Sequence, residues 1–396
     1  MSESTYNNAI YLDDVPIEQW KSYWGNGYRS VFYTNDVDKN GRIVFLGFDK
    51  EGNRKAFIMP WRPHIAYTVK YKTEFKDPYD RFVAFKNFNS KQHRDNYVKN
   101  ANGLNIIECL SPEMEFLNWA FDDVALDPTF NKQPLRMHAI DIETEISDAF
   151  MRPGRNEDQS ANRINMITIY DNFTDKYYTW SLQPAKVSFI EDPLKDYPKD
   201  KFVLFDNFHN DEYDLLEHFV SWFEDNAPDI IYGWNVKAYD MPYIVTRVEK
   251  VLGKNAARRL SPVGSYYIKE INHENSRADA SADIEVKIAG LFIADGLIFY
   301  RDKFKTGEVL DGGYNLDNVG EHEECGHKIK YDGTLKDLYL KDWQRFYEYN
   351  VRDVDLCWRI EKKRGMITLA RQVSSFGLSD YNQIYGPIAY LINSVR

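Results

Sequence analysis

Met137-His-Ala-Ile-Asp-Ile-Glu-Thr144 is an apolar run that ends with two carboxylates, Asp141 and Glu143, one residue apart. Side chains at i and i+2 of a strand point to one face, so a strand here sets two anions side by side. Such a pair needs a cation. All-oxygen donors of this kind suit Mg²⁺ or Mn²⁺ better than zinc. On its own, Asp-x-Glu at a strand end is more often a solvated turn, so its meaning depends on what the rest of the chain brings to it.

Two later stretches qualify. Asp229-Ile-Ile-Tyr-Gly-Trp-Asn-Val-Lys-Ala-Tyr-Asp240-Met-Pro-Tyr-Ile reads as a buried strand, a glycine-containing loop and a helix opened by Pro242. Proline suits the first helical turn, which puts Asp240 near a helix N-terminus, where capping is the ordinary use of an aspartate. From Lys341 to Arg364, the residues Trp343, Phe346, Val351, Val354 and Trp358 recur in a broadly helical pattern that ends before Gly365. Tyr349 and Asp353 are four residues apart and share one face of that helix. Each segment alone has a plain structural reading. The ordered set of four carboxylates and a tyrosine, in strand, helix-start and helix contexts, is much less easily accidental.

That set resembles the tyrosine-containing form of the DEDD 3′→5′ proofreading exonucleases. The sequences around Asp240, Ala257-Arg-Arg-Leu-Ser-Pro-Val-Gly264 and Tyr349-Asn-Val-Arg-Asp353 resemble the exonuclease domain of family B DNA polymerases, those of T-even-like bacteriophages in particular. The resemblance is strongest from about 136 to 365 and looser at both ends. It implies an α/β fold, a ribonuclease H-like exonuclease domain with a mixed sheet, beside a smaller β-rich α+β N-terminal domain. It also implies hydrolysis of the terminal phosphodiester at a single-stranded or frayed DNA 3′ end with two Mg²⁺ (or Mn²⁺). In this scheme Asp141 is shared by both ions, Glu143 and Asp353 complete one site, and Asp240 supports the second. Tyr349 orients the attacking water, Asn235 contacts the terminal nucleotide, and Thr144 offers backbone or hydroxyl contacts there.

Family B palm motifs, Asp-x-x-Ser-Leu-Tyr-Pro-Ser and Asp-Thr-Asp-Ser, do not occur in the 396 residues. The resemblance therefore predicts no nucleotide incorporation by this chain. It also predicts either a truncated polymerase or one product of a split gene, with palm, fingers and thumb as a second chain. Further expectations by resemblance are RNA or template contact through the N-terminal domain, and a place in the cytoplasm of a phage-infected bacterium.

At 396 residues the chain has length for two or three domains. A formal charge of −11 argues against a broad nonspecific DNA-binding surface, but not against an enzyme that grips a few terminal nucleotides. Cys109, Cys325 and Cys357 are an odd, widely spaced trio, as expected of reduced thiols. His322, Cys325 and His327 lack an evident fourth zinc ligand. No signal peptide or membrane-spanning run is read from the sequence.

Residues 1–130 carry short alternating runs, Ser30 to Thr34, Arg42 to Phe48, Lys55 to Trp61 and His64 to Tyr71, with turn signals at Asn40-Gly41 and Glu51-Gly52. Residues 131–365 alternate strands (137–142, 166–171, 176–181, 229–234) with helices (211–225, 241–252, 341–363), a layered α/β pattern. Residues 366–396 form a return segment toward the N-terminal domain and the palm approach. Tyr266 to Asn272 and Asp283 to Ile288 read as a long β-hairpin, which in the resembling polymerases helps part the primer end from its template. Two alternatives remain open at this point: a free-standing DEDD nuclease acting on RNA or oligonucleotides, and a non-enzymatic nucleic-acid-binding module.

Overall fold

The computed structural model describes residues 9–35, 41–145, 151–184, 190–208, 211–271, 284–303 and 310–386. The expected hairpin turn and the palm approach lie outside them. The chain divides into two compact units, Leu135–Leu369 and Ser2–Pro134 with Ala370–Arg396.

In the second of these units the alternating runs become strands Tyr28–Asn35, Gly41–Phe48, Arg54–Pro60 and His64–Thr68. The first three join Ala9–Tyr11 in one four-stranded sheet, while His64–Thr68 joins Phe75–Lys76, Phe82–Asn87 and Ile106–Glu108 in another. The break falls between Pro60 and Pro63, residues that cannot donate to a ladder. Helix Pro112–Phe121, capped by Ser111, buries Phe116 in edge contact with Trp24 and Trp61. Late residues complete this core: Tyr381 stacks on Tyr28 at 5.1 Å, and the buried Asn131 amide donates to Tyr381 Oη at 2.8 Å.

The other unit is built on strands β1 (Met137–Thr144), β2 (Ile164–Asp171), β3 (Lys176–Ser181), β4 (Phe202–Phe205), β5 (Ile230–Gly233), β6 (Tyr266–Glu270), β7 (Ile284–Ile288) and β8 (Phe292–Asp295). Six of them form one mixed sheet in the order β4-β3-β2-β1-β5-β8. β1, β2 and β3 are an antiparallel meander, and the β3–β4, β1–β5 and β5–β8 pairs are parallel. β6 and β7 pair antiparallel from Tyr266 opposite Ile288 to Glu270 opposite Ile284. Their base is held by the Tyr266 hydroxyl, which donates to Glu249, and an ion pair from Lys237 to Glu285 at 3.4 Å holds the ladder nearer the turn.

Strands β4 and β8 were not expected. Phe202-Val-Leu-Phe and Phe292-Ile-Ala-Asp are four-residue runs with no polar alternation, and a short apolar run has no period to read.

Helix α1 (Glu212–Asp225) starts at Asp211, whose carboxylate accepts the Tyr213 N–H. Its stripe of Leu215, Leu216, Phe219, Val220 and Phe223 is fully buried, in one cluster with Ile140, Ile142, Ile167, Ile169 and Trp180. The stripe is thus core, as its spacing predicts. Helix α2 (Asp240–Leu252) follows β5, and helix α3 (Trp343–Arg364) packs on β1 and β2. α3 is pinned by the buried Asp355 carboxylate, which accepts the hydroxyls of Tyr177 at 2.8 Å and Tyr197 at 2.7 Å and pairs with Arg352 and Arg359. It ends at Gly365, whose φ of 61° is the left-handed cap conformation.

Because Phe219 is 1% exposed in the centre of this cluster, Phe219→Ala should destabilise the unit by about 3–5 kcal/mol. Urea denaturation followed by tryptophan fluorescence measures it. A loss below about 1 kcal/mol would show that α1 is not the core face of the sheet.

Candidate active site

β1 pairs with β5 only as far as Ala139 opposite Tyr232. β5 then ends at Gly233, where a Cβ would stand 2.7 Å from the Ile140 carbonyl oxygen. The chain turns through Asn235 at φ 67°, a left-handed conformation that asparagine tolerates. The buried Asp295 carboxylate holds the turn by accepting N–H bonds from Lys237 at 2.9 Å and Ile298 at 3.2 Å. This turn delivers Asp240 as the first residue of α2. Tyr239, not Asp240, occupies the cap position, and it makes no side-chain cap bond. The Asp240 Oδ1 instead accepts the Ile142 N–H at 3.2 Å, on β1 beyond its last pairing with β5. The aspartate is tied to the acidic strand rather than spent on its own helix.

Asp141, Glu143 and Asp353 each bring a carboxylate oxygen within 4.8 Å of the other two. Glu143, Asp353 and Asp240 are buried. Asp141 is half-buried and opens onto a cleft of about 510 Å³ that Trp234, Asn235, Tyr314, Lys328 and Asp353 also line. Asp240 is outside the closest trio but near enough that its charge acts on Asp141.

Burial pushes all four carboxyls up, and repulsion within the cluster adds to it at Asp141 and Glu143. Glu143 is raised to about 8, first by burial and then by Asp353. Asp240 reaches about 7 and Asp353 about 6, burial again being the largest cause. Asp141 lies well above the ordinary carboxylate range, through burial and then the charges of Asp240, Asp353 and Glu143.

Two side chains that the sequence did not single out offset this repulsion. Lys328 Nζ lies 2.7 Å from Asp353 Oδ2 and 5.1 Å from the centre of the Tyr349 ring. Burial opposes its charge, but Asp353, Tyr349 and Asp141 outweigh burial and hold the ammonium above its usual value. The Asn350 amide, 0% exposed, donates to Asp141 Oδ2 at 2.7 Å. Lys328 sits in a polar loop with no periodicity to mark it. Asn350 lies inside the Tyr349 to Asp353 motif and three residues before the aspartate, a spacing that signalled a shared face.

Tyr349 is raised by burial and by the charges of Asp353 and Glu143, so its hydroxyl stays protonated and can donate, with Asp353 in reach. Asn235 lines the cleft. The Thr144 hydroxyl lies 3.4 Å from that of Tyr239. At the polar loop, His327 Nδ1 is 3.7 Å from Asp317 and the Cys325 thiol faces the Glu323 carbonyl.

The oxygen-only donors fit a hard divalent cation. Buried carboxylates pushed toward protonation, and an Asp353 Oδ1 with no hydrogen-bond partner among the described residues, are what a site built around such a cation leaves when none compensates them. A ribonuclease H-like sheet with an acidic cluster on its central strand defines a metal-dependent nuclease.

Residues 80–319 match the family described as DNA polymerase family B, exonuclease domain. The chain belongs to this family and carries its exonuclease portion. It is 26% identical over 387 residues to the DNA-directed DNA polymerase of Enterobacteria phage T4, covering 92% of this chain and 41% of that protein. The corresponding polymerase of Escherichia phage RB69 is 24% identical over 384 residues, covering 91% and 41%. The DNA polymerase catalytic subunit of Saimiriine herpesvirus 2 (strain 11) is 27% identical over 128 residues, 32% of this chain and 12% of that protein. The chain thus spans 41% of the length of the two phage relatives. The family match contains Asp141, Glu143 and Asp240, while Asp353 joins the cluster through the fold. Among the described residues no helix is long and apolar enough to cross a membrane.

Each raised carboxyl binds its proton more tightly in the folded state than in the unfolded chain. Their stabilising share is full below the ordinary carboxylate pKa of about 4 and is lost as pH rises through about 6 to 8. Without divalent metal, the melting temperature should therefore fall from about pH 5 to about pH 8.5. Adding Mn²⁺ at the higher pH should restore it, and Glu143→Gln should flatten the profile. A metal-free profile that is level or rises over this range would contradict the carboxylate cluster.

Proposed function

We propose that this chain is a 3′→5′ proofreading exonuclease that hydrolyses the terminal phosphodiester of single-stranded or frayed DNA, releasing a nucleoside 5′-monophosphate. The observation that carries this reading is the carboxylate trio Asp141, Glu143 and Asp353, within 4.8 Å of one another at the edge of an open cleft. Polymerase relatives, rather than free-standing nucleases, favour DNA over RNA or small oligonucleotides as substrate at this site.

Asp141, Glu143 and Asp353 would hold one divalent ion, with Asp141 shared and Asp240 supporting a second. Bound Mg²⁺ or Mn²⁺ would neutralise charge at the scissile phosphate and make water a nucleophile at neutral pH. Tyr349, kept as a neutral phenol by burial and its acidic neighbours, donates from Oη to position the attacking water. Lys328 lines the cleft as well as pairing with Asp353, so its ammonium can meet a phosphate oxygen when substrate enters. Trp234 and Tyr314 on the cleft wall offer ring faces to the terminal base. Asn235, turned into the same cleft by its left-handed backbone, supplies a polar contact to that nucleotide. Thr144, beside Tyr239, contributes through its backbone or by supporting that tyrosine.

For the N-terminal unit, we propose RNA or template-strand contact on the small sheet of Phe75–Lys76, Phe82–Asn87 and His64–Thr68. Phe75 and Phe85 are 54% and 48% exposed and touch edge to face at 5.3 Å, while Lys76 and Lys86, the next residues in their strands, turn to the opposite face. Adjacent exposed rings on one sheet face suit unstacked bases. Replacing both phenylalanines with alanine should weaken binding of single-stranded RNA by about 1–3 kcal/mol per stacked base, read by fluorescence anisotropy. Unchanged binding would remove this face from consideration.

At the nuclease site the ranking of variants is the test, read as single-turnover excision from 5′-labelled single-stranded DNA at saturating Mg²⁺. Asp141→Ala should slow excision on the order of a thousandfold or more, at about 1.4 kcal/mol per decade. Asp353→Ala and Asp240→Ala should also be severe. Tyr349→Phe should be milder, on the order of a hundredfold, since it removes one positioning hydroxyl. Cleavage that persists in EDTA, begins at 5′ ends, or survives in a folded Asp141→Ala variant would sink the proposal.

A further inference from the structure

Asn350 is a polar side chain in a place that ordinarily holds an apolar one. It lies on the inner face of α3 at 0% exposure, between Tyr347 and Val351, with Val354 one turn on. Burying a carboxamide costs free energy unless its groups find partners. Its amide nitrogen finds one in Asp141 Oδ2 at 2.7 Å, and the same side chain lies near enough to Glu143 to favour that carboxylate's charged form. Its Oδ1 is buried with no hydrogen-bond partner among the described residues. The orientation is dictated by charge, because the reverse flip would aim the carboxamide oxygen at the Asp141 carboxylate and leave the donors without an acceptor. The fold thus tolerates an unsatisfied carbonyl in order to aim an NH₂ group at the acidic strand.

We propose that Asn350 is a positioning residue of the metal site, acting through Asp141 and Glu143. Its N–H bond fixes the rotation of the Asp141 carboxylate, which a strand alone leaves free about the Cβ–Cγ bond, and its second N–H lies on the Glu143 side. The bond occupies one lone pair of Asp141 and leaves its other oxygen for the cluster with Glu143 and Asp353. Lys328 neutralises charge from the Asp353 side, whereas Asn350 adds no charge and contributes orientation. Groups that hydrogen-bond metal-ligating carboxylates commonly change metal affinity by about 10–100-fold when removed.

This inference rests on the reading of the trio as a divalent-metal site, and the experiment separates the two. Mn²⁺ binding to the DNA-free protein is titrated by calorimetry and by loss of the free-ion electron paramagnetic resonance signal. Wild type is compared with Asn350→Leu, which keeps the branching at Cγ without the donors, and Asn350→Ser, which opens space instead of filling it. Folding is followed by circular dichroism. The expected result is wild-type binding and about tenfold or more weaker binding by both folded variants. Excision should recover toward the wild-type rate as Mn²⁺ is raised, a shift in metal requirement rather than in maximal rate. Wild-type Mn²⁺ affinity in a folded variant would overturn the positioning role while leaving the metal site standing. Failure of wild type to bind Mn²⁺ would overturn both. If neither variant folds, Asn350 serves folding alone and the proposal falls.

Discussion

Burial of four carboxylates in one cluster is the constraint on which this structure depends. Asp141, Glu143, Asp240 and Asp353 come from one strand and two helices far apart in sequence, and folding forces them together away from bulk water. Pushing Glu143 to about 8 and Asp240 to about 7 expresses the cost: each group resists ionisation at a pH where a free acid would be fully charged. Nothing in the packing of the sheet requires this. Apolar side chains at the same positions would stabilise the unit, so the cluster is a functional expense carried by the core around it. Phe219, Ile140 and their neighbours supply burial on the opposite side of the sheet, and the Asp355 network clamps α3 where the repulsion would push it away.

The means of assembly are local. β1 stops pairing with β5 at Ala139, which leaves its last half free to face the cleft. Gly233 lets the neighbouring strand turn away at close range, Asn235 takes the left-handed bend, and Asp295 fixes that bend through backbone donors. Asp240 then ties back to β1 through the Ile142 N–H. The contact that positions a catalytic candidate is therefore a backbone hydrogen bond in the gap where two strands part. Lys328, from the loop between helices Leu316–His322 and Leu335–Lys341, and Asn350, from α3, complete the arrangement, one with charge and one with an oriented donor.

Much of this was legible in the chain. The two-residue spacing of Asp141 and Glu143 permits only one relative direction on a strand, and the four-residue spacing of Tyr349 and Asp353 only one on a helix. The stripe Leu215 to Phe223 has a clear period and became core. Other features carry no such signal. Phe202–Phe205 and Phe292–Asp295 are too short to show alternation, and their strand state comes from neighbours in a parallel sheet. Asp240 reads locally as a cap, because a sequence cannot show that the competing partner lies on β1. Lys328 belongs to a loop whose path is set by tertiary contacts, and Thr144 reads as a site residue from proximity in sequence although its hydroxyl meets Tyr239.

The central claim is that these carboxylates exist to hold divalent ions against a DNA 3′ end. The most direct measurement is anomalous diffraction at the manganese edge from crystals soaked in Mn²⁺ with a short single-stranded oligonucleotide. The account predicts anomalous density enclosed by Asp141, Glu143 and Asp353, with a second peak on the Asp240 side of Asp141 and the 3′-terminal nucleotide in the cleft beside Trp234 and Tyr314. No anomalous density at the trio, with Lys328 still paired to Asp353 and oligonucleotide bound elsewhere, would contradict it.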